Sequence, residues 1–314
     1  MIRRRKRRIQ KGHYALLVNR QAANYSSRAV DKLVTAIHGA GLAYTVYEPD
    51  SAIDLLKQAE VAAGQRQATP AHPRPYERGG KVTGLVACGG DGTFNLVARV
   101  GMKADLPVGH LPLGKMNNVA GALYGTVDPA QAISNIMSSG ARPTNVALAG
   151  NLPFFGSIGF GFAPQFLKQL GEHPLPRFTL GWSQLAARVA AQVELQRTVV
   201  KVDAFRFEIK PIILNINILS HSVGMPLTPS SVPDDGQVEM VFDAERQPGD
   251  FSSFTRLIRK KQYLYGNEFR LFRGREISVE PVAGRIMYLD GELIELPTDL
   301  LEIRIDEKKL QVLC

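Results

Sequence analysis

Three clusters of residues in this 314-residue chain are of the kind that handle phosphate and protons. The first, Gly89-Gly90-Asp91-Gly92-Thr93, follows the apolar run Val82–Cys88 and precedes Phe94, Val97 and Val100 at helical spacing. A strand that runs through clustered glycines into a helix brings backbone N–H groups close to a phosphate. Glycine permits the tight approach, and the helix N-terminus adds partial positive charge. No Gly-Lys-Ser/Thr closes the loop, so it is not a Walker A motif, and an ordinary turn has the same glycine signature. The second cluster, Pro112-Leu113-Gly114-Lys115-Met116-Asn117-Asn118, follows a short strand over Leu106–Leu111 and opens a helical face of Val119, Ala120 and Leu123. The third is a pair of Asp-Gly steps. Asp234-Asp235-Gly236 precedes a strand over 237–242, and Asp290-Gly291 separates 287–289 from Leu293-Ile294, with Glu292 between. Asp-Gly between β-formers is first of all a hairpin turn.

These residues need a frame, and the first half of the chain supplies alternating elements. Tyr14–Val18 reads as a buried strand ending at Asn19. A helix from about Ser26 presents Val30, Leu33, Val34 and Ile37 on one face, Ala43–Tyr47 alternates as a second strand, and 52–63 reads as a second helix. A Gly/Pro-rich break over 64–80 reads as a surface loop. Such alternation predicts an open, mostly parallel α/β sheet with helices on both faces, which binds ligands beyond the carboxyl ends of its strands. Asn19, Gly89–Thr93 and Gly114–Asn118 all fall at such ends.

From about Pro143 the pattern shifts to short strands, predicting a β-rich, sandwich-like second domain. Strand candidates are 145–148, 154–161 and a hairpin of 199–202 with 205–209 around Asp203-Ala204. Trp182, Leu185, Val189 and Val193 mark one face of an amphipathic helix, either core-facing or lining an apolar groove. Pro211–Leu219 is an apolar strand interrupted by Asn215 and Asn217, whose amides need partners. The last strands are 301–305 and 310–313.

Composition sets outer limits. With 45% hydrophobic residues the chain can build a sizeable core in two domains. Two cysteines, Cys88 and Cys314, make no disulfide or zinc framework and suit a reducing cytosol. No apolar run reaches the ~18 residues of a membrane span, and no signal peptide is evident, so a soluble, cytoplasmic protein is expected. The net charge of +9 is uneven, because Arg3, Arg4, Arg5, Lys6, Arg7, Arg8 and Lys11 fall within eleven residues free of acid. The bland reading of that arm is a solvated tail. The sharper one is an anchor to anionic lipid headgroups, each cation adding ~1 kcal/mol near the surface. Nucleic acid is not expected, because the arm lacks interleaved aromatics.

Gly-Gly-Asp-Gly-Thr followed about twenty residues later by Pro-Leu-Gly-x-x-Asn resembles the paired signature of the diacylglycerol kinase and sphingosine kinase superfamily of lipid kinases. The resemblance extends over nearly the whole chain. It implies an arm (1–12), an α/β nucleotide-binding domain (13–142, completed by about 298–314) and a β-rich lipid-substrate domain (143–297). It also implies ATP and Mg²⁺ as cofactors and γ-phosphoryl transfer to a lipid hydroxyl at the inner face of the membrane. Asn19, Gly89, Gly90, Gly92, Thr93, Gly114, Lys115 and Asn117 would bind the nucleotide. Asp91 would position Mg²⁺ or the γ-phosphate, Glu292 of Asp-Gly-Glu would be the general base, and Asp235 would hold a structural magnesium ion. A soluble acceptor such as NAD, or a catalytically weak binding protein, are the alternatives, and a homodimer is among the partners considered.

The chain departs from that pattern at Lys115-Met116 (usually Thr-Gly), Asn118 (usually Asp), Leu96 (usually Glu) and Arg20 (usually Pro). If the replaced glycine served a positive φ, Met116 costs about 1–2 kcal/mol or forces another loop shape. Lys115 either adds an ammonium to the phosphate site or points to solvent.

Overall fold

A computed structural model describes residues 12–65, 81–138, 140–172, 179–243 and 269–314. The basic arm, Arg3–Lys11, and most of the 64–80 loop lie outside the described residues. The chain divides into two compact units, residues 1–144 with 308–314 and residues 145–307.

In the first unit the elements alternate: β1 (His13–Val18), α1 (Ser27–Gly39), β2 (Ala43–Tyr47), α2 (Ala52–Ala62), β3 (Gly84–Gly89), α3 (Asp91–Ala104), β4 (Val108–Pro112), α4 (Asn118–Tyr124), α5 (Pro129–Ile136) and β5 (Ala141–Thr144). Each of α1, α2 and α5 starts where a side-chain oxygen can serve its first free amides: Ser26 accepts from Ala29 N, Ser51 from Asp54 N and Asp128 from Ala130 N. Leu16 and Val18 of β1, with Val86 and Cys88 of β3, pack against Ala29, Val30, Leu33 and Ile37 of α1 and Ile133 and Ile136 of α5. Helices α2 and α3 pack together, α2 against β1 and α3 against β3.

The second unit contains β6 (Ala147–Ala149), β7 (Leu152–Phe154), β8 (Ser157–Gly161), α6 (Phe162–Glu172), α7 (Leu180–Gln192), β9 (Thr198–Val202), β10 (Phe205–Ile209), β11 (Ile213–Asn217), β12 (Val238–Asp243), β13 (Phe269–Gly274), β14 (Glu276–Glu280), β15 (Ile286–Leu289), β16 (Glu292–Glu295) and β17 (Leu301–Ile305). They form two sheets, β10-β9-β14-β17-β6-β7 and β13-β12-β11-β8-β15-β16. Val200, Val202, Ile277, Val279 and Ile303 of the first sheet share one core with Ile158, Leu214, Ile216, Met240 and Met287 of the second. The unit is therefore a β-sandwich. Helices α6 and α7 join through Phe166, whose ring meets Trp182 edge-on at 5.1 Å. Trp182, Leu185 and Val189 are all buried, so that face of α7 is core.

The last strand, β18 (Leu310–Leu313), completes the first unit, parallel to β4 and antiparallel to β5. The sheet order there is β2-β1-β3-β4-β18-β5. The chain leaves β1 in one direction to form β2 and in the other to form β3, so the carboxyl ends of β1 and β3 flank the topological switch point of a parallel sheet. Asn19 and the first glycine turn lie there, tied by the hydrogen bond from Asn19 N to Cys88 O (3.0 Å).

Candidate functional site

The two glycine turns of the first unit are built against each other. A Cβ on Gly114 would lie 2.3 Å from the Cα of Gly90, and one on Gly90 would lie 3.1 Å from the Cα of Gly114. Backbone meets backbone, and only glycine allows it. Gly89 is fixed differently, since a Cβ there would collide with the Thr93 side chain at 2.4 Å. Gly92 has nothing within 4 Å of its Cβ position, so this part of the turn faces open space.

Asp91 is buried, and both its oxygens are engaged. Oδ2 accepts from Asn118 N (3.0 Å) and Asn118 Nδ2 (3.1 Å), and Oδ1 accepts from Val119 N (3.0 Å). Those amides open α4, which has no cap of its own because the Asn117 side chain makes no capping bond. The carboxylate at the start of α3 thus caps the neighbouring helix, where a negative charge also opposes the helix dipole favourably. It serves as a helix cap, but for α4 rather than for α3.

Asn117 adopts φ +50° and brackets its own turn, its Oδ1 accepting from Gly114 N and its Nδ2 donating to Gly114 O, both at 2.9 Å. Asn24 Nδ2 donates to the same carbonyl at 2.6 Å. The Asn117 bonds tie that side chain to the backbone of its own turn. The left-handed position of the second turn is thus Asn117, and Met116 is a buried residue without a positive φ. The strain anticipated for methionine does not arise. Lys115 is half-buried on this turn, and burial lowers the pKa of its ammonium. Asn19 donates from Nδ2 to Thr93 Oγ1 (3.0 Å) and accepts from Gln21 N (2.9 Å), which joins the end of β1 to the first turn of α3.

In the second unit, Asp290 and Gly291 have φ values of +47° and +102°, as a two-residue β15–β16 hairpin requires. The Asp290 carboxylate is buried and accepts from three successive amides, Phe155 N (2.6 Å), Gly156 N (2.9 Å) and Ser157 N (2.7 Å). Glu292 begins β16 as an exposed residue. Among the described residues, the structure gathers Asn19, Gly89–Thr93 and Gly114–Asn118 into one constellation in the first unit. Glu292 and Asp235 belong to the second unit.

Residues 13–149 match the family model of the diacylglycerol kinase catalytic domain. That match spans most of the first unit. The whole chain is also similar in fold to solved Bacillus anthracis structures. One, provisionally described as a diacylglycerol kinase, is 17% identical, with a TM-score of 0.73 over 96% of this chain and 97% of that one. A second, described as a diacylglycerol kinase, is 15% identical, with a TM-score of 0.67 over 96% of each chain. No curated protein matches the sequence.

The resemblance places magnesium at Asp235, and the donors around that residue can be tested for fit. Asp235 Oδ1 accepts from Gln237 N (2.9 Å) and Asn145 Nδ2 (3.3 Å), while Arg273 Nη1 stands 3.9 Å from Oδ2 and pairs with buried Glu239 through Nη2. A guanidinium and two N–H donors are partners for an anion, not co-ligands for a cation. Among the described residues no group of three or more His, Cys, Asp or Glu could hold a metal ion. The set does not fit magnesium, and Asp235 acts here as the brace of its own turn.

Sequence reasoning missed His110 in the first unit. It is fully buried in β4, with Nε2 3.1 Å from Gly89 O and its ring 5.1 Å from that of Phe94. Burial lowers its pKa against the opposing influence of the nearby Asp91 carboxylate, so the ring is neutral. Histidine two residues before Pro112 in an otherwise apolar strand was the available signal.

Proposed function

We propose that the chain is an ATP-dependent lipid kinase that transfers the γ-phosphate to a hydroxyl of a diacylglycerol-like lipid. The observation that carries this reading is the pair of abutting glycine turns, locked by Asp91 across to α4, in a domain that matches diacylglycerol kinases. Phosphoryl transfer is dominated by positioning and electrostatic stabilisation, and amides fixed at a helix N-terminus and a glycine turn provide both. Gly90, Gly92, Thr93 and Lys115 would bind the phosphates. Asn19, Asn117 and Asp91 would hold the loops that present them. Magnesium, when it arrives with ATP, supplies charge neutralisation on the phosphates. Glu292 is the proposed base for the lipid hydroxyl, being the exposed carboxylate beside a hairpin that Asp290 makes rigid.

The lipid acceptor finds support in the second unit. A cavity of about 740 Å³ there is walled by Phe160, Leu214, Ile286 and Leu293, with Lys168 and Arg285 also on its lining. Apolar walls with cations suit a chain-bearing molecule with a polar head. The basic arm, Arg3 to Lys11, would hold the enzyme to an anionic bilayer. No helix among the described residues is long and apolar enough to cross a membrane. Incubating the protein with ATP, Mg²⁺ and either diacylglycerol in mixed micelles or NAD, then resolving the phosphorylated product, tests the acceptor. A phosphorylated lipid supports the proposal, and phosphorylated NAD alone rejects it.

A further inference from the structure

His110 occupies a position where an apolar residue would pack at lower cost. Its side chain is wholly buried, and a carbonyl can only accept, so the nitrogen facing Gly89 O must carry the ring's proton. Nδ1 is then a buried acceptor without a hydrogen-bond partner. Such a group costs stability that leucine would not. A locally unfavourable residue beside a candidate site calls for a functional reason.

The reason lies in the peptide that His110 touches. Gly89 O accepts from Leu113 N (2.8 Å) and from His110 Nε2 (3.1 Å), so two donors from one side fix the direction of this carbonyl. The Gly89–Gly90 peptide is trans, and in a trans peptide the C=O and N–H point in opposite directions. Pinning the carbonyl toward β4 therefore turns the Gly90 N–H away from it. That amide precedes α3 and makes no hydrogen bond among the described residues. His110 itself is held from behind by its backbone N–H, which donates to Tyr124 Oη (3.0 Å), and by the Phe94 ring.

We propose that His110 is a positioning residue, which aims the Gly90 amide at a phosphate of the bound nucleotide by fixing the Gly89 carbonyl. This rests on the nucleotide-binding reading above. Isothermal titration of ATP into the full chain without acceptor, alongside thermal unfolding at pH 7.5, tests it with His110→Leu and His110→Gln. The leucine variant is expected to be as stable as wild type or more so, and to bind ATP about tenfold more weakly, the worth of one well-placed hydrogen bond. Glutamine, whose amide nitrogen can donate to Gly89 O, is expected to restore most of that affinity. A folded leucine variant with wild-type affinity overturns the proposal, as does a glutamine variant as weak as leucine. A leucine variant that fails to fold assigns His110 to the core and overturns it too. If wild type does not bind ATP, both this inference and the nucleotide-binding reading fall. A defect confined to the variants' predicted pattern bears on this inference alone.

Discussion

The carboxylate of Asp91 accepts a hydrogen bond from the side-chain amide of Asn118 at 3.1 Å, with the Asn118 backbone N–H on the same oxygen. Two glycine turns, whose facing Gly90 and Gly114 are 24 positions apart in sequence, are clamped through this contact and through the approach of those two glycines. Asparagine at 118 supplies a side-chain donor to the Asp91 carboxylate and so completes the hydrogen bonding around it. Replacing Asn118 by Asp should set two carboxylates about 3 Å apart and raise the pKa of one of them. A raised carboxyl pKa in the folded state means the folded form binds the extra proton. The variant should therefore be destabilised at neutral pH and regain stability as the pH falls toward that pKa. Unfolding curves across pH 4–8 check the sign.

Asp91→Ala removes three hydrogen bonds from a buried carboxylate and uncaps α4. Bonds to charged groups contribute about 1.5–3 kcal/mol, so denaturant titration should show a loss of at least about 2 kcal/mol. A variant that loses activity at unchanged stability would instead make Asp91 chiefly a catalytic group.

Gly114 and Gly92 should separate cleanly. Alanine at 114 drives backbone against backbone and is expected to cost at least about 1–3 kcal/mol and to abolish ATP binding. Alanine at 92 meets nothing and lies within α3, where it should add about 0.5–1 kcal/mol of stability. Its methyl group would project into the space proposed for phosphate, so ATP affinity should fall while the melting temperature rises. Calorimetry and thermal unfolding on the two variants test the contrast.

Asp290 and Glu292 differ in the same way. Asp290→Ala leaves three buried amides without their acceptor and should cost about 3 kcal/mol or more. Glu292→Gln alters an exposed side chain and should leave unfolding within about 0.5 kcal/mol of wild type.

Acid should weaken the first unit through His110. Its folded pKa lies below the ordinary histidine value because burial outweighs the pull of Asp91, whereas the unfolded chain titrates near 6.5. Stability from the neutral ring is complete above about pH 6.5 and is lost as the pH falls, by at most about 1.4 kcal/mol per pH unit. Melting temperatures between pH 7.5 and 5 should show a smaller slope in His110→Leu than in wild type.

Most of the frame of the first unit was legible because its elements announce themselves locally, although α5, with Asp128 at its cap and Pro129 at its start, was missed. Ser26 and Ser51 open helices, Ala43–Tyr47 alternates, and glycines mark the turns. The tertiary partners were not legible. Asp91 and Asn118 are 27 positions apart, and no local pattern says which helix a carboxylate will cap. Asn215 and Asn217 illustrate the same limit, because their Nδ2 groups donate to Ser222 and Thr228, side chains that no local pattern names. Helix α6 escaped notice although Pro164 in its first turn was a usable start signal. Asp235 lies in an Asp-Asp-Gly step that the family resemblance reads as a magnesium site, but Arg273, which occupies its surroundings, comes from a strand 38 residues further on.

The most direct test of the central claim is transfer of labelled γ-phosphate from ATP, with Mg²⁺, to a short-chain diacylglycerol by wild type and Glu292→Gln. The account predicts a labelled phospholipid with wild type. It also predicts at least a 100-fold slower reaction in the variant at equal ATP affinity, about the contribution of a general base. A wild-type protein that binds ATP yet labels NAD alone, or a glutamine variant that turns over at the wild-type rate, would contradict it.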